Sequence, residues 1–254
     1  MKSLFRCTAC LFLGLLLLGA APPRQLATYQ PPIGIPAPTF CIGGVAPPLP
    51  PPWPSAAAPG YYYIDNSHPN ATDTNNSYGY PNRPRQSVPE ISYPAGSYVE
   101  IHGGDYNDVN LRVDFNCTRA QPCWVRGTPG NLPKISGTFV STVNLTYVIF
   151  EYLDFEGGSD TSIAAVAGNH IALRHSVVHN KPWNGNNAGV GIGPTVGTTV
   201  HDVVVYKNLF HDLGDWQATT DQDFHAVAPG LWGLDETSGS ELYNYWILEN
   251  TCYH

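Results

Sequence analysis

Positive charge is scarce in this 254-residue sequence, and its scarcity argues against two classes of partner. Lys and Arg number 12 against 20 Asp and Glu, the formal net charge is −8, and neither basic residue occurs after Lys207. Nucleic acids and anionic membrane surfaces are bound through clusters of basic side chains. We therefore expect no nucleic-acid partner and no attraction to an anionic membrane surface.

Long apolar runs are also missing. The run Leu11–Leu18 is shorter than the roughly 20 residues that a membrane-spanning helix needs. It follows the basic residues Lys2 and Arg6 and precedes small residues suited to cleavage after Ala20. This pattern is typical of a secretory signal peptide over residues 1–20. We expect a secreted or cell-surface protein, extracellular or periplasmic, with no membrane insertion after cleavage.

Proline is concentrated in one part of the chain. Residues 21–60 contain 13 of the 24 prolines, a composition that favours an extended, semi-rigid chain without a packed core. We interpret this segment as a linker. From residue 61 onward β-branched and aromatic residues dominate, and no stretch sustains the 3.6-residue apolar period of a helix. Residues 61–254 are therefore predicted to form one all-β domain.

Only four cysteines lie outside the predicted signal peptide: Cys41, Cys117, Cys123 and Cys252. Pairing is the default expectation for cysteines of an exported protein. Cys117 and Cys123 are close in sequence and are predicted to form a disulfide. A zinc site is the weaker interpretation, because no second close pair of Cys or His accompanies them. Cys41 and Cys252 have no evident partner.

An internal repeat indicates the kind of β-structure. Four segments superimpose, each with an alternating apolar strand, a polar kink and one more apolar residue: Tyr147–Phe155, His170–Val178, Asp202–Phe210 and Asn244–Cys252. Their central apolar positions, which we call anchors, are Phe150, Leu173, Val205 and Ile247. The closing apolar residues, five positions later, are Phe155, Val178, Phe210 and Cys252. A second short strand is predicted before each segment: Ile135–Phe139, Ser162–Val166, Gly189–Gly193 and His225–Ala228.

The spacing of the repeats favours stacked coils. Successive anchors are 23, 32 and 42 residues apart, so the later coils must carry inserted loops. Insertions at a fixed strand register are how solenoids build loops on one face. The blades of a propeller have similar periods but need tight hairpin turns, and such turns are missing between the paired strands.

The quoted segments resemble the right-handed parallel β-helix proteins of the pectate-lyase-like superfamily. The resemblance covers about residues 61–254 and implies an all-β, right-handed parallel β-helix. It implies little about chemistry, because this superfamily includes lyases, hydrolases, isomerases and non-catalytic adhesins. The sequence ends at His254, directly after a closing residue and without a capping segment. An uncapped solenoid end exposes unpaired backbone and apolar surface, so we expect the helix to be truncated at its C-terminus.

Stacking the repeats creates a first candidate site. The position after the closing residue holds Glu156, His179, His211 and Tyr253, and the next position holds Gly157, Asn180, Asp212 and His254. His179, His211 and Asp212 form a candidate acid–base or metal-binding group, since imidazole titrates near neutral pH. The alternative is a polar ladder that satisfies the backbone of the turns.

Two inserted loops supply further candidates. Asp221, Asp223 and Asp235 offer the hard oxygen ligands that calcium prefers. Trp183, Trp216 and Trp232 are candidates for packing against sugar rings. The alternatives are a solvated acidic loop, packing tryptophans and, for Lys181 beside Trp183, an ordinary surface lysine.

Two reactions suit these candidate residues. Inverting hydrolysis needs two carboxyl groups, which Asp212, Asp221 and Asp223 could supply, although the paired-Asp and Gly-His-Gly motifs of polygalacturonase-like hydrolases are missing. The resemblance alternatively implies a lyase with calcium and a basic residue, for which Lys181 is a candidate. We expect a secreted protein that binds an extended polysaccharide and is a candidate lyase or hydrolase. The alternative is a non-catalytic surface or adhesin-like module.

Overall fold

The computed structural model describes eight stretches of the chain: residues 57–107, 114–136, 140–142, 144–157, 161–181, 187–215, 224–230 and 239–253. The predicted signal peptide and nearly all of the predicted linker lie outside these stretches. The described residues form 17 strands and contain no helix, so the prediction of an all-β domain is confirmed for them. A search of the same residues for a helix long and apolar enough to span a membrane found none.

The strands belong to three parallel sheets. The first sheet contains β1 (Tyr61–Asp65), β2 (Tyr98–His102), β3 (Phe115–Asn116), β4 (Cys123–Arg126), β7 (Leu145–Glu151), β10 (Gly168–Arg174), β13 (Thr199–Tyr206) and β16 (Glu241–Leu248). The second contains β5 (Lys134–Ile135), β8 (Asp154–Glu156), β11 (Val177–Lys181), β14 (Leu209–Leu213) and β17 (Thr251–Tyr253). The third contains β6 (Val140–Thr142), β9 (Ile163–Ala165), β12 (Asn187–Ile192) and β15 (Phe224–Ala228).

The chain visits the three sheets in a fixed order. The runs β4–β5–β6, β7–β8–β9, β10–β11–β12 and β13–β14–β15 each pass from the first sheet to the second and then to the third, and β16–β17 begins the same passage. Each strand pairs in parallel with its counterpart in the neighbouring run. The described strands are therefore stacked in parallel, an arrangement consistent with an all-β solenoid. We call one passage through the three sheets a coil.

The predicted register of the repeats is confirmed. The anchors pair in the order Phe150, Leu173, Val205 and Ile247, and the closing residues pair in the order Phe155, Val178, Phe210 and Cys252. Each closing residue lies in a strand of the second sheet, so every complete coil has three strands.

One predicted strand, Ile135–Phe139, differs from the structure at its start. Ile135 belongs to the second-sheet strand Lys134–Ile135, and the third-sheet strand that follows is Val140–Thr142. Residues 137–139 lie outside the described stretches. Ile135 pairs with Phe155, so it is the closing residue of the preceding coil and not the first residue of the next strand.

The interior is built from the inward-facing residues of all three sheets. In the first sheet Val148 and Phe150 point into the main core, while Ile149 between them belongs to a second cluster with Trp124 and Val204. This alternation follows from the two-residue period of a strand. Burial of the inner column depends on stacking, since Val205 is 0% exposed whereas Ile247 in the last described coil is 48% exposed.

Left-handed backbone recurs at the same places in successive coils. One column lies inside the first-sheet strands, with φ between 48° and 54°: Tyr147, His170, Asp202 and Asn244. A second column turns the chain toward the second sheet, with φ between 52° and 55°: Tyr152, His175, Lys207 and Glu249. Non-glycine residues adopt this conformation at an energetic cost, so the hydrogen bonds of the flanking strands must hold it.

An internal polar ladder fills the turn between the first and second sheets. Asn208 donates from Nδ2 to the carbonyl of Leu173 at 3.0 Å and accepts at Oδ1 from the Ser176 amide at 3.0 Å. Asn250 repeats this pattern one coil later, donating to the Val205 carbonyl at 2.9 Å. These side chains satisfy backbone groups that the turn would otherwise leave buried and unpaired.

A buried ion-pair ladder crosses the first sheet. Glu151 is 2% exposed, accepts a hydrogen bond from Arg174 Nε at 2.7 Å and forms an ion pair with Arg126, whose Nε lies 3.2 Å away. The three residues are register partners in adjacent strands. Arg174 also lies over the ring of Trp124, and Arg126 over that of Tyr152, each 5.4 Å from the ring centroid. One buried carboxylate thus neutralises the buried guanidinium group of Arg174 and the partly buried one of Arg126.

The predicted disulfide is confirmed. Cys117 and Cys123 are bonded, with Cα atoms 5.8 Å apart, and both are buried. Cys252 is exposed and is a free thiol, and Cys41 lies outside the described residues. The disulfide joins β4 to the segment that follows β3, which fixes two strands that both pair with β7.

We predict that Asn208→Ala lowers the free energy of unfolding by about 1–3 kcal/mol, because it leaves a buried amide and a buried carbonyl without partners. Urea denaturation followed by circular dichroism measures the change. Asn131→Ala, at an exposed position, is the control and should have little effect. Equal effects of the two substitutions would contradict a structural role for the ladder.

We predict that Glu151→Gln lowers the free energy of unfolding by about 3–5 kcal/mol, because the buried guanidinium group of Arg174 and the partly buried one of Arg126 lose their counter-charge. The matched control is Glu156→Gln, which removes the charge of a partly exposed carboxylate from its pair with Lys134. Exposed pairs contribute little, so this control should unfold almost as the unaltered protein does. A Glu151→Gln protein as stable as the control would show that the ion pairs contribute nothing net.

Candidate functional site

The two predicted catalytic histidines lie one above the other on the second sheet. His179 pairs in register with Glu156 below it and with His211 above it, and His211 pairs with Tyr253. The imidazole rings of His179 and His211 stack with centroids 4.7 Å apart, and Tyr253 stacks on His211 at 5.1 Å. We call these four residues the second-sheet column. The four residues lie together because the parallel register pairs equivalent positions of neighbouring strands.

Each histidine of the column is oriented by a different carboxylate. His179 Nε2 lies 2.8 Å from Asp154 Oδ1, and His211 Nδ1 lies 2.7 Å from Asp212 Oδ2. Because a carboxylate only accepts hydrogen bonds, Nε2 of His179 and Nδ1 of His211 are the donors. The Nδ1 atom of His179 is buried and has no hydrogen-bond partner. The two stacked rings therefore direct different nitrogen atoms to their carboxylates.

Glu156 completes the lower end of the column as an ionised carboxylate. A hydrogen bond from Lys134, with Nζ 2.6 Å from Oε2, and another from Asn180 lower the pKa of Glu156. A carboxyl group whose pKa is lowered is a poor proton donor at neutral pH. Glu156 is thus suited to accept hydrogen bonds, and not to act as a general acid.

Lys181, the predicted basic catalyst, is the last residue of β11, the strand that also contains His179. The residue is 1% exposed, and its Nζ donates to the carbonyl of Gly157 at 2.7 Å. A base that acts on a polymer must reach its substrate, so this placement favours a role in joining two coils. The catalytic role of Lys181 stays a prediction.

The remaining predicted site residues lie outside the described stretches. They are the calcium candidates Asp221, Asp223 and Asp235 and the sugar-binding candidates Trp183, Trp216 and Trp232. The calcium site and the tryptophan contacts therefore stay predictions. Among the predicted catalytic residues the structure brings together His179, His211 and Asp212, with Lys181 on the same strand as His179.

A second polar cluster was not predicted from the sequence. His170, His201 and Asp202 each offer one potential ligand atom, and these atoms lie within 4.8 Å of one another. Asp202 Oδ2 is 2.6 Å from His201 Nδ1 and 3.9 Å from His170 Nε2. Asn244 donates to the other carboxylate oxygen at 3.2 Å. This is the only such group of three or more metal-ligating residues in the described part of the chain.

The repeats contained a signal for this cluster. His170 and Asp202 are the first residues of two superimposed segments, and His201 directly precedes Asp202. The positions after the closing residues, on which the first candidate site was predicted, do not include them. Burial lowers the pKa of His170, and nearby His201 and Arg119 act in the same direction while Asp202 opposes them. His170 is consequently a neutral imidazole at neutral pH.

No family model, curated protein or solved structure matches this chain.

We predict that lowering the pH below about 6.5 destabilises the protein through two histidines. Burial is the main cause that lowers the pKa values of His170 and His175 in the folded state. The unfolded state then binds more protons between the folded and unfolded pKa values, so stability is full above the unfolded value and falls as the pH drops through this interval.

The test is urea denaturation at pH 7.5 and at pH 5.5, with the imidazole titrations followed by NMR. His175→Asn, which suits the left-handed backbone at this position, should reduce the loss of stability on acidification. Measured pKa values of about 6.5 or higher for both imidazoles in the folded protein would contradict the prediction.

Proposed function

We propose that this is an exported right-handed parallel β-helix protein that binds an extended polysaccharide along the second-sheet column. The observation that carries the proposal is the in-register column Glu156, His179, His211 and Tyr253. The cyclic order of the three parallel sheets supports the β-helix, and the resemblance to the pectate-lyase-like superfamily supports a carbohydrate ligand. Export rests on the signal-peptide pattern of residues 1–20.

The periodicity of the column suits a polymer. Neighbouring coils are about 4.8 Å apart in a parallel sheet, so equivalent groups recur at that interval along the stack. A chain molecule lying parallel to the stack meets the same kind of group at each coil. Small ligands gain nothing from such repetition.

The chemistry of the column suits hydroxyl groups. The stacked rings of His179 and His211 cover each other's faces, so these rings offer their edges to a ligand. The nitrogen atoms of His179 are bonded to Asp154 or buried, so His211 supplies the ring nitrogen, through the Nε2 atom that does not bond Asp212. Glu156 adds an ionised acceptor and Lys134 adds a donor. Sugar hydroxyls both donate and accept, and they match such a mixture. The column therefore binds sugars through hydrogen bonds. The tryptophans of the predicted loops are the candidates for stacking on sugar rings.

Binding is better supported than cleavage. Glu156 is held ionised by its hydrogen bonds, and Lys181 is buried against Gly157. Neither arrangement suits a proton-transferring group that must meet a substrate. Calcium-dependent elimination and hydrolysis by the loop aspartates are separate outcomes that the following experiment distinguishes.

The experiment measures binding of the complete chain to a panel of polysaccharides, including pectin, alginate and neutral glucans. His211→Ala should weaken binding to the recognised polymer about fivefold, the effect of one lost hydrogen bond of about 1 kcal/mol. His225→Ala, at an exposed position of the third sheet, is the matched control and should bind as the unaltered protein does.

The same samples are assayed for reducing ends and for unsaturated products, with calcium and with a chelator. Calcium-dependent unsaturated products would identify a lyase, and reducing ends alone a hydrolase. Failure to bind any polymer, or equal weakening by the two substitutions, would contradict binding along the column.

A further inference from the structure

We propose that His170, His201 and Asp202 form a binding site for a divalent transition-metal ion of the zinc class. The site lies in the first sheet and uses none of the residues of the second-sheet column. It therefore does not depend on the proposed polysaccharide.

The distances are close to those of a metal site. Asp202 Oδ2 is already 2.6 Å from His201 Nδ1 and 3.9 Å from His170 Nε2. Tetrahedral zinc with bonds of about 2.0–2.1 Å places its ligand atoms about 3.3 Å apart. Both distances reach this value by movements of less than about 1 Å, which side-chain rotation supplies. The metal would replace the proton that now lies between His201 and Asp202, and Nε2 of His201 would carry the proton of the neutral imidazole instead.

Hydrogen bonding directs a lone pair of His170 toward the carboxylate. Asn169 Oδ1 lies 2.7 Å from His170 Nδ1, and an amide oxygen only accepts hydrogen bonds. The proton of the neutral imidazole is therefore on Nδ1, and Nε2 carries the lone pair that faces Asp202 Oδ2. Two acceptor atoms that face each other are stabilised by a cation between them.

The rings are held in place by stacking with the neighbouring coils. His170 stacks on Tyr147 with centroids 4.1 Å apart, and His201 stacks on Tyr243 at 4.7 Å. These contacts restrict the two imidazoles to orientations close to those observed. Little conformational entropy is then lost when an ion binds, which favours affinity.

The carboxylate is fixed as well. Asp202 is 8% exposed, and its second oxygen accepts a hydrogen bond from Asn244 Nδ2 at 3.2 Å. Outer partners of this kind orient metal-binding carboxylates and contribute about 10–100-fold to metal affinity. The site thus has supporting contacts on each of its three ligands.

The ligand types select the ion. Two imidazole nitrogens and one carboxylate suit zinc and related transition metals, whereas calcium and magnesium prefer oxygen ligands throughout. Three protein ligands leave a fourth position for water or another molecule, as in open zinc sites. The preference for zinc also distinguishes this site from the predicted calcium site in the acidic loop.

The repeats of the protein provide conservative substitutions for the test. In the next coil Asn244 occupies the position of His170 and Asp202 with the same left-handed backbone, and Asn169 occupies the position of His201 in the preceding coil. His170→Asn, Asp202→Asn and His201→Asn therefore place an amide where the fold already accepts one. His225→Asn, an exposed histidine in the third sheet, is the matched control.

The complete chain is stripped with a chelator and titrated with zinc by calorimetry, and with cobalt by visible absorption. We expect one tight zinc site per chain, a cobalt spectrum of low coordination number, and no displacement of zinc from this site by calcium. Each site substitution should weaken zinc binding at least about tenfold, and the control should not change it. Thermal unfolding without metal verifies that each variant is folded.

Two results would overturn the proposal: no zinc binding by the unaltered chain, or zinc binding that persists unchanged in folded site variants. In each case Asp202 would be an ion-pair and hydrogen-bond partner of its two histidines, with no metal function.

Discussion

In-register backbone hydrogen bonding between neighbouring coils is the constraint on which the rest of this structure depends. Each strand of the three sheets pairs in parallel with its counterpart one coil away. Every position in the repeat is consequently stacked on an equivalent position. Apolar positions such as Phe150, Leu173 and Val205 form continuous buried columns, and the same rule applies to polar residues. The surroundings of a side chain are therefore set as much by the coils above and below it as by its own strand.

This constraint explains how so many polar and strained residues are accommodated. The left-handed residues of successive coils lie in register, and the strands on either side hold them in place. Asn208 and Asn250 satisfy the turn backbone of the preceding coils. Glu151 sits between two arginines because all three occupy one register position. Features that would be costly in isolation are stabilised by repetition, since each coil supplies the partners that its neighbour needs.

The same repetition produces the two candidate sites, which differ in what they offer. The second-sheet column presents ring edges and a carboxylate at regular intervals, an arrangement suited to a long ligand. His170, His201 and Asp202 instead converge, so that three ligand atoms lie within 4.8 Å. Convergence arises because Asp202 lies at a left-handed position directly after His201 and above His170. A regular column and a convergent cluster can thus be built by the same fold.

The sequence by itself determined the all-β class, the register of the anchors and closing residues, the stacking of His179 on His211 and the pairing of Cys117 with Cys123. These follow from local periodicity and from sequence spacing, both of which are visible in the chain. Only the tertiary structure decided that each complete coil has three strands, that Lys181 is buried against Gly157 and that His170 meets His201 and Asp202. Those outcomes depend on the directions in which side chains of neighbouring coils point. The register determines which residues are neighbours. The backbone conformation of each turn determines whether the functional atoms of those neighbours meet.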